Sequence, residues 1–169
     1  MVAQSSAPAA ATSPAAAAAS ALPIKIVLSP ATLAGLPRRE AAVTDMHGGP
    51  ATYSGVELGA VLARAGVPQG EALRGRDLAA YAVVIASDGY RVVFALPELD
   101  PAFTDRLVLL ADQRNGQPLP ASLAPFRIVI PDEKRQARWI RNAVEIDVDL
   151  LPAGAGPPPG AANGSTHGT

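Results

Sequence analysis

The clearest pattern in the chain is its last. Val144, Ile146, Val148 and Leu150 alternate with Glu145, Asp147 and Asp149, the period-two signature of a strand with one dry and one wet face. Further upstream, Tyr81 to Ala86 and Arg91 to Leu96 are apolar and β-branched, with Asp88-Gly89 between them. That pair predicts a two-residue hairpin. Ile24 to Leu28, Glu40 to Asp45, Leu107 to Ala111 and Phe126 to Ile130 read as further strands, and Asn115-Gly116 as another turn. The spacing changes at Val56, Leu58, Val61, Leu62 and Ala65, which predicts a helix closed by Gly66. Ser29-Pro30 opens a shorter helix through Leu36, stopped by Pro37, and Pro97 to Leu99 suits a helical turn. The stretch Met46-His47-Gly48-Gly49-Pro50 reads as a loop, because its glycines and proline disfavour regular structure. Strands outnumber helices and hairpins dominate, so the expected class is a mixed, hairpin-rich α+β fold.

Charge placement adds the boundaries. Of 169 residues, all 14 Lys+Arg and all 15 Asp+Glu lie between Lys25 and Asp149. Residues 24–150 are therefore expected to be one folded domain, preceded by a disordered Ala/Pro-rich head (1–23) and followed by a disordered Pro/Gly-rich tail (151–169), neither with bulky side chains enough to offset chain entropy. The head has small residues like those of a cleavage region but no basic start and no Leu-rich stretch. It resembles a trimmed export leader, which points to a periplasmic or exported protein, the alternative being a cytoplasmic one. No segment has the roughly 20 uncharged apolar residues of a membrane span. The net charge of -1 gives no electrostatic reason to expect nucleic acid as a partner. The chain has no cysteine and two histidines, so it offers no thiolate nucleophile or ligand and no histidine-based metal site.

Few residues carry candidate chemistry. Arg127 and Arg138 have the fork suited to an oxyanion, unless Arg127 merely alternates outward on its strand and Arg138 pairs with a surface acid. His47 lies beside Asp45, which would orient it as a base, or it is a plain loop residue. Asp88 is first a turn residue, and Tyr90 and Trp139 are first core aromatics with a polar atom to satisfy. The carboxylates Glu98, Asp100, Asp147 and Asp149 read as solubility.

An ordered series of motifs narrows this further. Tyr53-Ser54-Gly55-Val56-Glu57-Leu58 with Val61-Leu62 resembles an aromatic-x-Gly-Val-x-Leu entry into a helix. Ser87-Asp88-Gly89-Tyr90 with Leu96 resembles a Ser-x-Gly-Tyr hairpin, and Leu110-Ala111 with Asn115-Gly116-Gln117-Pro118-Leu119-Pro120 a Leu-Ala, Asn-Gly-x-Pro-Leu run. Pro125-Phe126-Arg127-Ile128-Val129-Ile130-Pro131 resembles a Pro-Leu-Arg-Leu-Val-Val-Pro strand, and Arg138-Trp139-Ile140 a Lys-Trp-Leu. Five motifs in this order resemble the molybdopterin-binding domain of the sulfite oxidase family. The resemblance implies a sulfite oxidase-type fold with a pterin cleft, and cofactor contacts at Arg127, Arg138, His47, Asp88 and Tyr90.

The departures bear on chemistry. Where the family's metal-binding cysteine stands, this chain has Thr44-Asp45-Met46-His47; the family's His-Gly is Leu123-Ala124; its late glycine turn is Asp132-Glu133-Lys134-Arg135-Gln136. A thioether and an imidazole do not replace a soft charged sulfur. The expectation is a small standalone relative that holds molybdopterin or another small anionic ligand without molybdenum turnover. The competing classes are a protein-interaction module working through exposed loops, and a molybdenum oxidoreductase with an unusual ligand.

Overall fold

Two antiparallel sheets share the core. The computed structural model describes residues 22–46 and 49–152. The head and tail expected to be disordered lie outside the described residues except for Leu22, Pro23, Leu151 and Pro152, and so does His47. The first sheet runs in the order β1 (Ile24–Val27), β9 (Ala143–Leu150), β4 (Ala80–Ala86), β5 (Arg91–Ala95). The second runs β2 (Arg38–Asp45), β3 (Gly49–Glu57), β6 (Leu109–Arg114), β7 (Gln117–Pro118), with β8 (Arg127–Val129) also on β6. Helices are few: α1 (Pro30–Leu33), α2 (Leu58–Arg64) and four short 3-10 turns. This is a small, mostly β version of the α+β class.

The apolar pattern explains the layering. Every second residue of β4 is buried, Ala82 and Val84 among them, and β9 buries Ala143, Ile146 and Val148. They meet Tyr53, Val56, Leu109 and Ile128 of the other sheet in one continuous core. The sheets are joined where Phe126 bridges to Ala143 and Ile128 N–H donates to Ile140 O at 2.9 Å. β9 lies between β1 and β4, so Ile24 pairs with Val148 across nearly the whole domain.

Several elements differ from their expected form. Gly49 and Pro50 begin β3 and pair with Asp45 and Thr44, where a loop was expected. Proline is tolerated there because pairing with β6 begins only at Tyr53, so the missing N–H costs no ladder bond on that side. The strand then continues through Val56 and passes directly into α2 at Leu58, so the aromatic-x-Gly motif lies on a strand. Gly55 is needed in that strand: a Cβ would come 2.6 Å from Ala111 Cα and overlap Leu110 O. Here the register also shifts, with Ser54 opposite Gln113 and Gly55 opposite Ala111, a bulge at Asp112.

The turns follow their chemistry with one change. Asn115 and Gly116 have φ of 52° and 73°, the doubly left-handed pair of a tight hairpin. At the β4–β5 connection, by contrast, four residues, Ser87 to Tyr90, link the strands, and only Gly89 has positive φ. Two carboxylates expected to serve solubility are structural. Asp100 is buried and accepts N–H bonds from Gly70 and Ala102 at 2.5 and 2.8 Å. Glu98 pairs with Arg106 and Arg138.

Candidate functional site

The motif segments converge at one end of the two sheets. The end of β2 brings Asp45 and Met46, the β4–β5 loop Asp88 and Tyr90, and the end of β6 Arg114. The stretch after β7 brings Pro120 and Leu123, β8 brings Arg127, and the segment before β9 brings Gln136, Trp139 and Arg141. Together they line an open cavity of about 600 Å³, within the range of small-molecule sites.

Arg127 forms its floor. It does not point out of the sheet: all three residues of β8 are buried, so strand alternation leaves no wet side. Its Nη1 donates to Asp45 Oδ2 at 2.7 Å and to the Tyr53 hydroxyl at 2.5 Å, while Tyr53 donates to the same Asp45 oxygen at 2.6 Å. The guanidinium carbon lies 5.1 Å from the Tyr53 ring centroid and 5.6 Å from that of Trp139, so the cation is held by rings as well as by a counter-ion. With Nη1 committed, Nε remains buried without an acceptor, and Trp139 Nε1, also buried, lacks one too. Two orphaned donors on residues that line one cavity amount to an unmet demand for an acceptor.

The rim is fixed from one side. Gln136 Oε1 accepts from Met46 N–H at 3.0 Å and its Nε2 donates to Thr44 O at 2.7 Å. That side chain clips the end of β2 to the segment before β9. Tyr90 is about half exposed and so is not a core aromatic; its hydroxyl donates to Ala137 O at 3.0 Å. Asp88 is exposed and accepts from Tyr90 N–H at 2.9 Å. The Arg114 guanidinium carbon lies 5.9 Å from the Tyr53 ring centroid.

Of the five expected contacts, the cavity gathers Arg127, Asp88 and Tyr90. Arg138 is elsewhere: it lies over the Phe94 ring at 4.8 Å and pairs with Glu98 at 3.0 Å and with Glu133. His47 lies outside the described residues. The carboxylate expected to orient it, Asp45, is held by Tyr53 and Arg127. Tyr53, Arg114, Gln136 and Trp139 are the residues that sequence reasoning did not assign to a site. For Tyr53 and Trp139 the available signal was membership in the ordered motifs.

Burial and, next, the bond to Asp45 raise the Tyr53 hydroxyl above the ordinary tyrosine range. A raised value means that folding favours the neutral phenol. Its stabilisation is fully present below about pH 10, where the unfolded tyrosine titrates, and is lost as pH rises through the folded value. The gap in melting temperature between the parent and Tyr53→Phe is therefore expected to narrow from about pH 9 to about pH 11. A constant gap in thermal melts would contradict this.

The donor set decides what the cavity suits. Three arginines line it against Asp45, which is already paired, and exposed Asp88. Among the described residues no group of three or more His, Cys, Asp or Glu could hold a metal ion, and Met46 contributes a neutral thioether at the rim. The lining thus carries three guanidinium groups against two carboxylates. Compared with known proteins, the chain matches no family model and no curated protein.

Proposed function

We propose that the protein is a binding domain of the sulfite oxidase type that holds a small organic anion of the pterin phosphate kind, with no metal-centred turnover. The observation that carries this reading is the pair of buried, acceptor-less donors, Arg127 Nε and Trp139 Nε1, on two residues of a cavity also lined by Arg114 and Arg141. Support comes from the motifs: segments matched separately along the sequence each supply a residue to this one cavity or, through Tyr53, to its floor.

Molybdenum does not fit this donor set. The chain has no cysteine, Asp45 is committed to Arg127 and Tyr53, and Met46 is a neutral, exposed thioether. The organic part of a molybdopterin does fit: Arg127 and Trp139 would answer its acceptors, and Arg114 and Arg141 its phosphate. Bound without the metal, such a group supplies recognition alone.

The test is thermal stabilisation by neopterin monophosphate, with inorganic phosphate as the comparison. Ligand at 100 times its Kd stabilises by about 2.7 kcal/mol. Trp139→Phe keeps the ring and removes one N–H, and it is expected to weaken binding about tenfold, as does losing one partner of a buried hydrogen bond. Unchanged stabilisation in Trp139→Phe and Arg127→Lys would overturn the reading. Near-stoichiometric molybdenum in protein purified from molybdate-fed cells would overturn it too.

A further inference from the structure

A second surface, sharing no residue with the cavity, is the outer face of the first sheet. Residues 81–86 are apolar at every position, the pattern of a strand buried on both faces. Only one face of β4 is buried. Ala80, Ala82, Val84 and Ala86 enter the core, whereas Tyr81, Val83 and Ile85 are only partly buried and neither belong to the core nor pack against it. Register places Val83 beside Val93, which is about half exposed, and Tyr81 beside Ala95. A partly exposed apolar column thus runs along the middle of the sheet, outside the core.

Beside it stands an acidic column. Glu145, Asp147 and Asp149 of β9 are paired with Ile85, Val83 and Tyr81 respectively, so each outward apolar side chain has an acid next to it. Lys25 answers two of the three, at 2.5 Å from Glu145 and 2.9 Å from Asp147. Asp149 is exposed and has no ion pair among the described residues. The face therefore calls for an occupant that is apolar along its middle and basic along one flank.

Two occupants are disfavoured by charge and area. The chain's own ends cannot supply the basic flank, since no Lys or Arg precedes Lys25 or follows Arg141. A second copy would bring the same acids, relieved only by Arg91 and by Lys25, which is already paired with Glu145 and Asp147. The face is also small: strands of 4, 8, 7 and 5 residues, about 4.8 Å apart and rising about 3.4 Å per residue, span about 20 Å across and about 14 to 27 Å along. That is well short of the roughly 800 Å² per partner of a stable dimer. It matches one helix of about 12 residues, about 18 Å long.

We infer that this face docks a short amphipathic helix of a partner protein, apolar on the side meeting β4 and rich in Lys or Arg on the flank meeting β9. The probe is a fluorescein-labelled 14-residue Leu/Lys amphipathic peptide, followed by anisotropy with the full chain. Controls are the same residues in scrambled order and a Leu/Glu version. Binding is expected for the amphipathic peptide alone, weakening as salt rises. Val93→Asp and Asp149→Lys, both at exposed positions and checked for folding by circular dichroism, are each expected to weaken it about tenfold or more.

Equal binding of the scrambled peptide, parent-like affinity in both variants, or no binding would overturn the proposal. So would a dimer seen in sedimentation and lost in Val93→Asp, which would name a second copy as the occupant. Stabilisation by neopterin monophosphate should be unchanged in both variants, so failure here and failure of the cavity reading are separable.

Discussion

Arg127→Met is expected to cost about 3 to 5 kcal/mol, the range for breaking a buried ion pair from one side. The cost does not come from Coulomb attraction alone. The guanidinium is buried, donates to both Asp45 and the Tyr53 hydroxyl through one nitrogen, and lies between two aromatic rings. Methionine fills much of the volume but leaves the Asp45 carboxylate in a low-dielectric site without that cation. Against a typical total of 5 to 15 kcal/mol, this would remove about a fifth or more of the stability. The double variant Arg127→Met/Asp45→Asn should recover at least about 1 kcal/mol, because the stranded charge is then removed as well. Urea unfolding of the four proteins measures the coupling. Purely additive costs would show that the pair is not a unit.

The second large effect has a sign that two principles dispute. Gly59 lies in the first turn of α2, where alanine is ordinarily better than glycine by about 0.5 to 1 kcal/mol. A Cβ at this position would overlap the carbonyl oxygen of Leu99 and come 3.2 Å from its carbon. That oxygen is backbone, in the turn Leu96–Leu99, where Leu96 and Leu99 are both buried. Gln69 Nε2 also donates to Gly59 O at 2.6 Å, tying the helix from another side. The overlapped atom is backbone and not a flexible side-chain end, so the helix or the turn must move. Overpacking costs about 1 to 3 kcal/mol and sometimes more, which exceeds the propensity gain. Gly59→Ala is therefore expected to lower stability by about 2 kcal/mol or more, and the melting temperature by roughly 5 to 10 °C. An unchanged or higher melting temperature would show that propensity wins.

What the sequence made legible followed from local physics. The alternation of 144–150 became β9, the spacing of 58–62 became α2, and Asn115-Gly116 became a left-handed turn. Each depends on neighbours a few residues away. Arg127 shows where that kind of reasoning stops. In a three-residue strand buried on both sides, period two carries no information about direction, and the partner that draws the side chain inward is 82 residues upstream. The same holds for Gln136, whose role as a clip to Met46 and Thr44 exists only once β2 ends beside it. Tyr90 was misread for a different reason. An aromatic next to a hairpin glycine carries no burial signal, and its exposure is set by the four-residue turn. The cavity was reached only through the order of the motifs, which encodes three-dimensional proximity that composition and periodicity do not.

The position of β9 sets a timetable for synthesis. β4 and β5 can pair as soon as they have emerged, since they are neighbours in the chain. Among the described residues β1, the earliest strand, has no partner in its sheet except β9, the latest. Until residues 143–150 leave the ribosome, Ile24 and Ile26 have nothing to pair with, and β4 presents one long unpaired edge. Contacts this distant in sequence are slow to form, and unpaired strand edges invite aggregation. A nascent chain halted before Ala143 would thus hold two incomplete pieces of one sheet, and release of its final strand is the event that makes it a single folded body.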